Sequence, residues 1–334
     1  MVNIAVIGAG AMGADHAQTL AESVPNAAVV AIADPDRDRA AAVAVRVGAR
    51  TADSGAGVIA AADVDAVIIA GPDAVHTPLA LACIRAGKPV LCEKPLGTGP
   101  AESDAVLAAE VNAGRRLVSL GFMRRYDPAH RSLREVVVKR QLGEPVAVHQ
   151  VHRNSEPHQQ ASVESVITNS MVHEFDVLPW LLGGRIQHVA VHSPGLPAAR
   201  YLQLATVRMS TGAVATIEVF LAAGYGYDVR CEVVGTQASA QLRAPGQVVL
   251  HEAGASGVGV AADFRQRFAD AYRLELLHWV RAVATGEALT ASAWDGHRAN
   301  LAAAAALTSL QQRSGVWLAE GDRAVPQIYR SGAA

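Results

Sequence analysis

The stretch Val2-Asn3-Ile4-Ala5-Val6-Ile7-Gly8-Ala9-Gly10-Ala11-Met12-Gly13 decides how the rest of the chain is read. Its first half is a short apolar run without polar alternation, the pattern of a strand covered on both faces. Its second half is Gly-x-Gly-x-x-Gly, and residues 12–23 that follow read as a helix. Strand, glycine-rich turn and helix in this order open a βαβ unit. Gly8 permits the tight turn, Gly10 lets the backbone approach a pyrophosphate, and Gly13 allows close helix–strand packing. Ala11 and Met12 lie where a helix N-terminus offers amide donors and partial positive charge to phosphates.

Working outward, residues 28–33, 66–70, 89–92 and 117–120 repeat the apolar strand pattern. Residues 36–47, 77–86 and 101–113 read as the helices between them, so a parallel sheet with right-handed crossovers is expected. Asp34 ends the second strand, about 20 residues beyond the glycine turn, where a carboxylate accepts hydrogen bonds from a ribose diol and repels a 2′-phosphate. This reading makes NAD the expected cofactor. Arg37 and Arg39 are close enough in the chain to keep NADP as a lesser possibility.

The grammar changes near residue 144. Residues 144–152, 186–192, 201–209, 213–221, 227–234 and 248–251 read as consecutive strands joined by short turns, the signature of an antiparallel sheet. Helices are expected over 168–182, 265–284 and 296–312, with Pro179 kinking or shortening the first. The fold class is therefore α/β: a Rossmann-type domain over residues 1–120, then an α+β domain with a largely antiparallel open sheet over 121–334. A length of 334 residues suits two such cores.

Composition narrows the partners. Acids number 31 against 29 bases, which argues against nucleic acid or an anionic membrane surface. Met1 runs straight into the first strand, and no apolar run approaches the ~18 residues of a membrane span. Cys83, Cys92 and Cys231 form neither a disulfide framework nor a zinc motif and fit a reducing cytoplasm. No metal site is expected: His149 and His152 point to opposite strand faces, and His188 and His192 have no third ligand. A strand over 213–221 with apolar residues on both faces suggests a homo-oligomer, dimer or tetramer, formed through this sheet.

Only Lys88, Lys94 and Lys139 are lysines. Lys94 lies in Glu93-Lys94-Pro95, just past a strand at the ligand-binding edge of such a sheet, where an ammonium can stabilise developing negative charge. On the helix at 168–182, Asn169, His173, Asp176 and Trp180 share a face at 3.6 residues per turn. Val172 and Val177 flank that polar stripe, which suggests a cleft wall, and a neutral His173 there can act as a general base. Arg124 and Arg125, in Met123-Arg124-Arg125-Tyr126-Asp127, read equally as a charged link or a binding segment.

Taken together, the glycine turn, Glu93-Lys94-Pro95 and His173-Glu174-Phe175-Asp176 resemble the glucose–fructose oxidoreductase/inositol dehydrogenase family over nearly the whole chain. Phe122–Asp127, His152-Arg153-Asn154 and Tyr225–Glu232 are most similar to its inositol 2-dehydrogenases. The resemblance implies NAD-dependent oxidation of a secondary hydroxyl of a cyclitol or cyclic sugar, or the reverse. It implies catalytic roles for Lys94 and His173, and cofactor contacts extending to Pro72, His76, Glu93 and Lys94. The substrate side would comprise Lys94, Arg124, His152, Asn154, Asn169, His173, Asp176 and Tyr227. One departure stands out: the resembling enzymes usually have Asp where this chain has Asn169. An amide cannot stabilise an imidazolium as a carboxylate does, so a lower effective His173 pKa or a different substrate is expected. The family also contains NAD-using glycoside hydrolases and a non-catalytic regulator, which are the alternative readings.

Overall fold

The computed structural model describes residues 1–157, 161–243, 249–252, 255–287, 291–318 and 325–330. Two compact units emerge. The first holds Met1–Met123, Tyr272–Asn300 and, of the tail, residues 325–330; the second holds Arg124–Ala271 and residues 301–318.

The first unit alternates β1 (Val2–Ile7), α1 (Ala11–Ser23), β2 (Ala27–Ala33), α2 (Arg37–Val47), β3 (Arg50–Ala52), α3 (Gly55–Ala60), β4 (Ala66–Ile69), α4 (Asp73–Ala86), β5 (Val90–Cys92), α5 (Pro100–Ala113) and β6 (Val118–Leu120). Its six strands are parallel in the order β3-β2-β1-β4-β5-β6. Sequence pattern alone does not reveal β3 and α3, because three residues and six residues are too short to show a period. The strand order reverses between β1 and β4, and open α/β sheets bind ligands outside the carboxyl ends of strands at such a point. Ile4, Val6, Ile32, Ile68 and Leu91 are almost fully buried and share one core with Leu20 and Val43 of the flanking helices. Leu276, Trp279 and Val280, far along the chain, complete that core.

The second unit begins with α6 (Pro128–Val138) and β7 (Pro145–Arg153). A short helical turn, α7 (Val163–Ser165), leads through a π-helical turn over Val166–Met171 into α8 (Val172–Leu182). The helix expected over 168–182 thus contains a change of winding, and α8 runs three residues beyond Pro179. Strands β8 (Ile186–His192), β9 (Leu202–Met209), β10 (Val214–Phe220), β11 (Asp228–Gly235) and β12 (Ser239–Gln241) follow, with the separate hairpin of β13 (Val249–Glu252) and β14 (Ala255–Val258). Residue 248, where the last strand was expected to start, lies outside the described residues.

Helix α9 (Phe264–Thr285) leaves helical geometry at Phe268; α10 (Ala293–Gln312), β15 (Val316–Trp317) and α11 (Gln327–Arg330) close the chain. The seven-stranded sheet has the order β12-β11-β7-β10-β9-β8-β15 and is antiparallel except between β7 and β10. That exception follows from the route. After β7 the chain crosses through α8, enters the sheet three positions away as β8, and folds back through β9, so β10 arrives alongside β7 in the same direction.

Candidate active site

Sequence and geometry agree most closely at the glycine turn. Gly8 has φ of +99°, and a Cβ on it would lie 2.5 Å from the Ala70 carbonyl oxygen. A Cβ on Gly13 would lie 1.8 Å from the Gly8 oxygen, so close packing alone requires glycine there. Gly10 is different: a Cβ would meet nothing within 4 Å. Among the described residues no atom explains a glycine at 10, whereas a phosphate approaching the backbone would. Gly10 also caps α1, and no side-chain hydrogen bond among the described residues caps that end of the helix. Ala11 and Met12 form the first turn. A dinucleotide pyrophosphate fits this open, positively polarised end.

Asp34 stands just beyond β2 and is almost fully buried. Its Oδ2 accepts from the Ala9 amide at 2.7 Å and its Oδ1 from the Asp36 amide at 2.9 Å. Arg39 donates to both oxygens, through Nε at 3.3 Å and Nη2 at 2.6 Å. Burial works against the charge, but these donors hold the Asp34 carboxyl below its ordinary range.

Past β4, Pro72 caps α4 without a side-chain bond. His76, one turn into that helix, is buried with Nδ1 2.8 Å from the Pro95 oxygen and Nε2 2.9 Å from the Gly71 oxygen. The Nδ1 contact ties α4 to the loop after β5, which makes His76 a positioning group for that loop. Lys94 is partly buried in this loop. Glu93 lies beneath it, with Oε1 2.8 Å from His16 Nε2 and Oε2 accepting from the Lys94 amide at 3.3 Å. A Cβ on Gly121 would fall 2.9 Å from the Glu93 carboxyl, so glycine is needed there too. Burial opposes ionisation of Glu93, yet His16 and Lys94 keep its carboxyl below the usual range. His16 was not singled out by sequence. Its signal was a polar residue at position 16 among Gly13, Ala17 and Leu20 on the buried face of α1.

In the second unit, Arg124, His152, Glu174 and Tyr227 converge. Arg124 is 2% exposed and therefore no charged link; its Nη1 donates to Glu174, which is 1% exposed. Arg124 Nη2 lies 3.1 Å from His152 Nδ1. Because a guanidinium can only donate, Nδ1 is the acceptor, which leaves the His152 proton on Nε2, 3.3 Å from the Tyr227 hydroxyl. The contact between His152 and Glu174, at 3.4 Å, is secondary to that assignment. The His152 ring stands edge-on to His173, with centroids 6.2 Å apart. Burial raises the Tyr227 hydroxyl to about 12, so it remains a neutral donor.

His173 is buried on α8. Asp176, also buried, takes a charge-assisted bond from Arg125 Nε at 2.9 Å. Asn169 sits in the π-helical turn, so it and His173 do not follow the regular 3.6-residue spacing expected from sequence. Asn154, at the end of β7, is partly buried, and its Oδ1 has no hydrogen-bond partner among the described residues. The same is true of Glu174 Oε2 and Arg124 Nε. Buried polar atoms left unmatched in this way suit a hydroxyl-rich ligand.

Glu174, like His16, is a residue that sequence reasoning passed over. Its signal was an acid enclosed by Val172, Phe175, Val177 and Leu178, a setting that a solvated carboxylate avoids. The three cysteines are buried, with Cys83 and Cys231 raised by desolvation to about 12, so none is a poised nucleophile. No group of three or more potential ligands among the described residues could hold a metal ion. No described helix is long and apolar enough to cross a membrane.

One unit is Rossmann-type with a phosphate-ready turn, and the other carries a buried polar cluster and a histidine; a chain with both has the parts of a dinucleotide-dependent oxidoreductase. Residues 2–122 match a family model described as an oxidoreductase family, NAD-binding Rossmann fold, and residues 134–318 match that family's C-terminal alpha/beta domain. The chain belongs to this glucose–fructose oxidoreductase/inositol dehydrogenase family. It is 44% identical to inositol 2-dehydrogenase 1 of Saccharopolyspora erythraea, with 98% of this chain and 99% of the relative covered. It is 39% identical to inositol 2-dehydrogenase of Acidothermus cellulolyticus, with 98% of each covered. Among solved structures, myo-inositol dehydrogenase from Lactobacillus casei, in complex with NAD(H) and myo-inositol, superposes with a TM-score of 0.93 at 30% identity. That match covers 98% of this chain and 99% of the other.

Proposed function

We propose that this protein oxidises a secondary hydroxyl of an inositol to the ketone with NAD, and that it catalyses the reverse reduction when product is in excess. The observation that carries this reading is the buried Arg124–Glu174–His152–Tyr227 cluster next to His173. Such a set of fixed donors and acceptors matches several hydroxyl groups at once and would be costly to bury without a polar ligand.

In the oxidation, His173 takes the hydroxyl proton as the C–H electron pair leaves the same carbon, and a C=O bond forms. A dinucleotide held by the Gly8–Gly13 turn and Asp34 would supply the hydride acceptor for that electron pair. Lys94 donates to the substrate oxygen and stabilises the negative charge that grows on it as the proton departs. Glu93 and His76 hold the backbone that carries Lys94. Arg124 fixes the His152 tautomer, so Nε2–H and the Tyr227 hydroxyl present donors in set directions. His16 supports Glu93 from α1.

The experiment is a rate comparison with NAD and NADP over myo-inositol, scyllo-inositol, aldoses and aminocyclitols. Inositol turnover with NAD, falling by about a thousandfold in His173→Ala and in Lys94→Met, is the expected result. Turnover of no polyol by a correctly folded, NAD-binding protein would remove the proposal, and release of phenol from aryl glycosides without added nucleotide would replace it.

The same reading extends to assembly. The seven-stranded sheet leaves Leu204 and Val214 exposed and Phe220 half-buried on one face. We infer a homo-oligomer that covers this face, in a cytoplasmic protein. Sedimentation as a monomer at micromolar concentration would count against it.

A further inference from the structure

The lone-pair count at Asp34 leads to a second role for the residue beside it. A carboxylate offers about four acceptor positions. At Asp34 four donors already fill them: the amides of Ala9 and Asp36, and Nε and Nη2 of Arg39. The two amides belong to the backbone and cannot leave. Arg39 is the movable donor, its side chain being 49% exposed. It also has an alternative seat, since Nη1 lies 3.7 Å from Asp36 Oδ2.

We propose that Arg39 is a cofactor-selectivity residue: its guanidinium occupies the acceptor positions on Asp34 that an adenosine ribose needs, and swings to Asp36 when a dinucleotide binds. This rests on the NAD-dependent reading above and deepens it. Two consequences follow with opposite signs. For NAD, the ribose 2′- and 3′-hydroxyls must displace a bidentate, charge-assisted contact, so Arg39 weakens NAD binding. For NADP, the 2′-phosphate would face the Asp34 carboxylate, and the released guanidinium is the nearby cation that offsets the repulsion. One side chain thus narrows the preference for NAD from both directions.

The arrangement allows a clean substitution. The contribution of Arg39 to α2 is its backbone amide, which caps against Asp36 Oδ1 at 3.0 Å, and an alanine keeps that bond. Arg39→Ala should therefore still fold, with a melting temperature lowered by no more than a few degrees for the lost half-exposed ion pair. Binding is to be measured by isothermal calorimetry of the full chain with NAD and, separately, with NADP.

Arg39→Ala is expected to bind NAD about two- to fivefold more tightly, the worth of a half-exposed ion pair. It is expected to bind NADP roughly tenfold more weakly. Arg39→Lys, which keeps the charge but loses the fork, should retain NADP binding while binding NAD more tightly than wild type. Unchanged or weaker NAD binding in Arg39→Ala overturns the inference alone, as does NADP binding that is no weaker. Failure of the wild-type chain to bind either dinucleotide overturns the NAD-dependent reading and the inference with it.

Discussion

Glu174 and Arg124 form a buried ion pair inside the second unit, with side chains 1% and 2% exposed. Burial opposes the charge on Glu174, but the adjacent guanidinium holds its carboxyl below the ordinary range. Removing one partner of such a pair leaves the other charge desolvated, which costs roughly 3 kcal/mol or more. Glu174→Gln should therefore lower stability in urea by about that amount, and Arg124 should lose its hold on His152. The kinetic signature is a lower kcat/KM for the polyol with the affinity for NAD unchanged. Equal losses in both would show that Glu174 acts only through overall folding.

The glycine turn separates packing from ligand binding. Gly10→Ala meets no protein atom and should change stability by less than about 1 kcal/mol while weakening NAD binding by about tenfold or more. Gly13→Ala places a methyl group on the Gly8 carbonyl and should destabilise the first unit outright. Calorimetric titration beside thermal melts distinguishes the two. Undiminished NAD affinity in Gly10→Ala would show that the pyrophosphate lies elsewhere.

The Glu93–His16 contact ties α1 to the Lys94 loop. In His16→Leu a buried carboxylate loses its donor, at a cost of about 1–3 kcal/mol. Its kcat should fall, because the Lys94 backbone leans on that carboxylate. His16→Gln, whose amide can still donate, should recover part of both. If leucine and glutamine behave alike, the hydrogen bond is not what matters at this position.

Acid should unfold the protein through its depressed carboxyls. Burial opposes ionisation at Asp127, Glu93 and Glu174, but His130 with Arg267, His16 with Lys94, and Arg124 respectively hold the three below their ordinary range. The unfolded chain takes up these protons first, around pH 4, so the stabilisation is complete only above about pH 5. It is lost progressively as pH falls from about 5 toward the lower folded values. Urea midpoints at pH 7, 5 and 4 should decline in that order, with the steepest drop last. A flat profile to pH 4 would contradict these assignments.

Asn169→Asp tests the departure from the resembling enzymes. A carboxylate on the π-helical turn before α8 would favour protonated His173, so the acidic limb of the kcat/KM profile should move to higher pH. An unmoved profile together with unaltered substrate preference would mean that Asn169 does not act on His173.

Much of this was legible in local pattern. β1, the glycine turn, α1 and Asp34 are contiguous or nearly so, and each announces itself by period, by a conformational demand or by its place at a strand end. The helix around His173 was legible as a helix because its apolar residues recur at helical spacing. Its π-helical turn was not, because an i→i+5 winding depends on what Val166, Ile167 and Met171 pack against. Glu174 followed the same rule: its burial depends on the arrival of Arg124 from 50 positions away.

By itself, then, the sequence determined a βαβ nucleotide unit followed by a strand-rich unit, together with the lysine and histidine to test first. Tertiary structure decided that β10 lies parallel to β7, that Tyr272–Asn300 is counted with the first unit, and that Arg39 rather than solvent faces Asp34. The division has one cause. Periodicity and turn chemistry act over a few residues, whereas pairing order, core completion and ion-pair choice are settled by groups far apart in the chain that meet only when the fold closes.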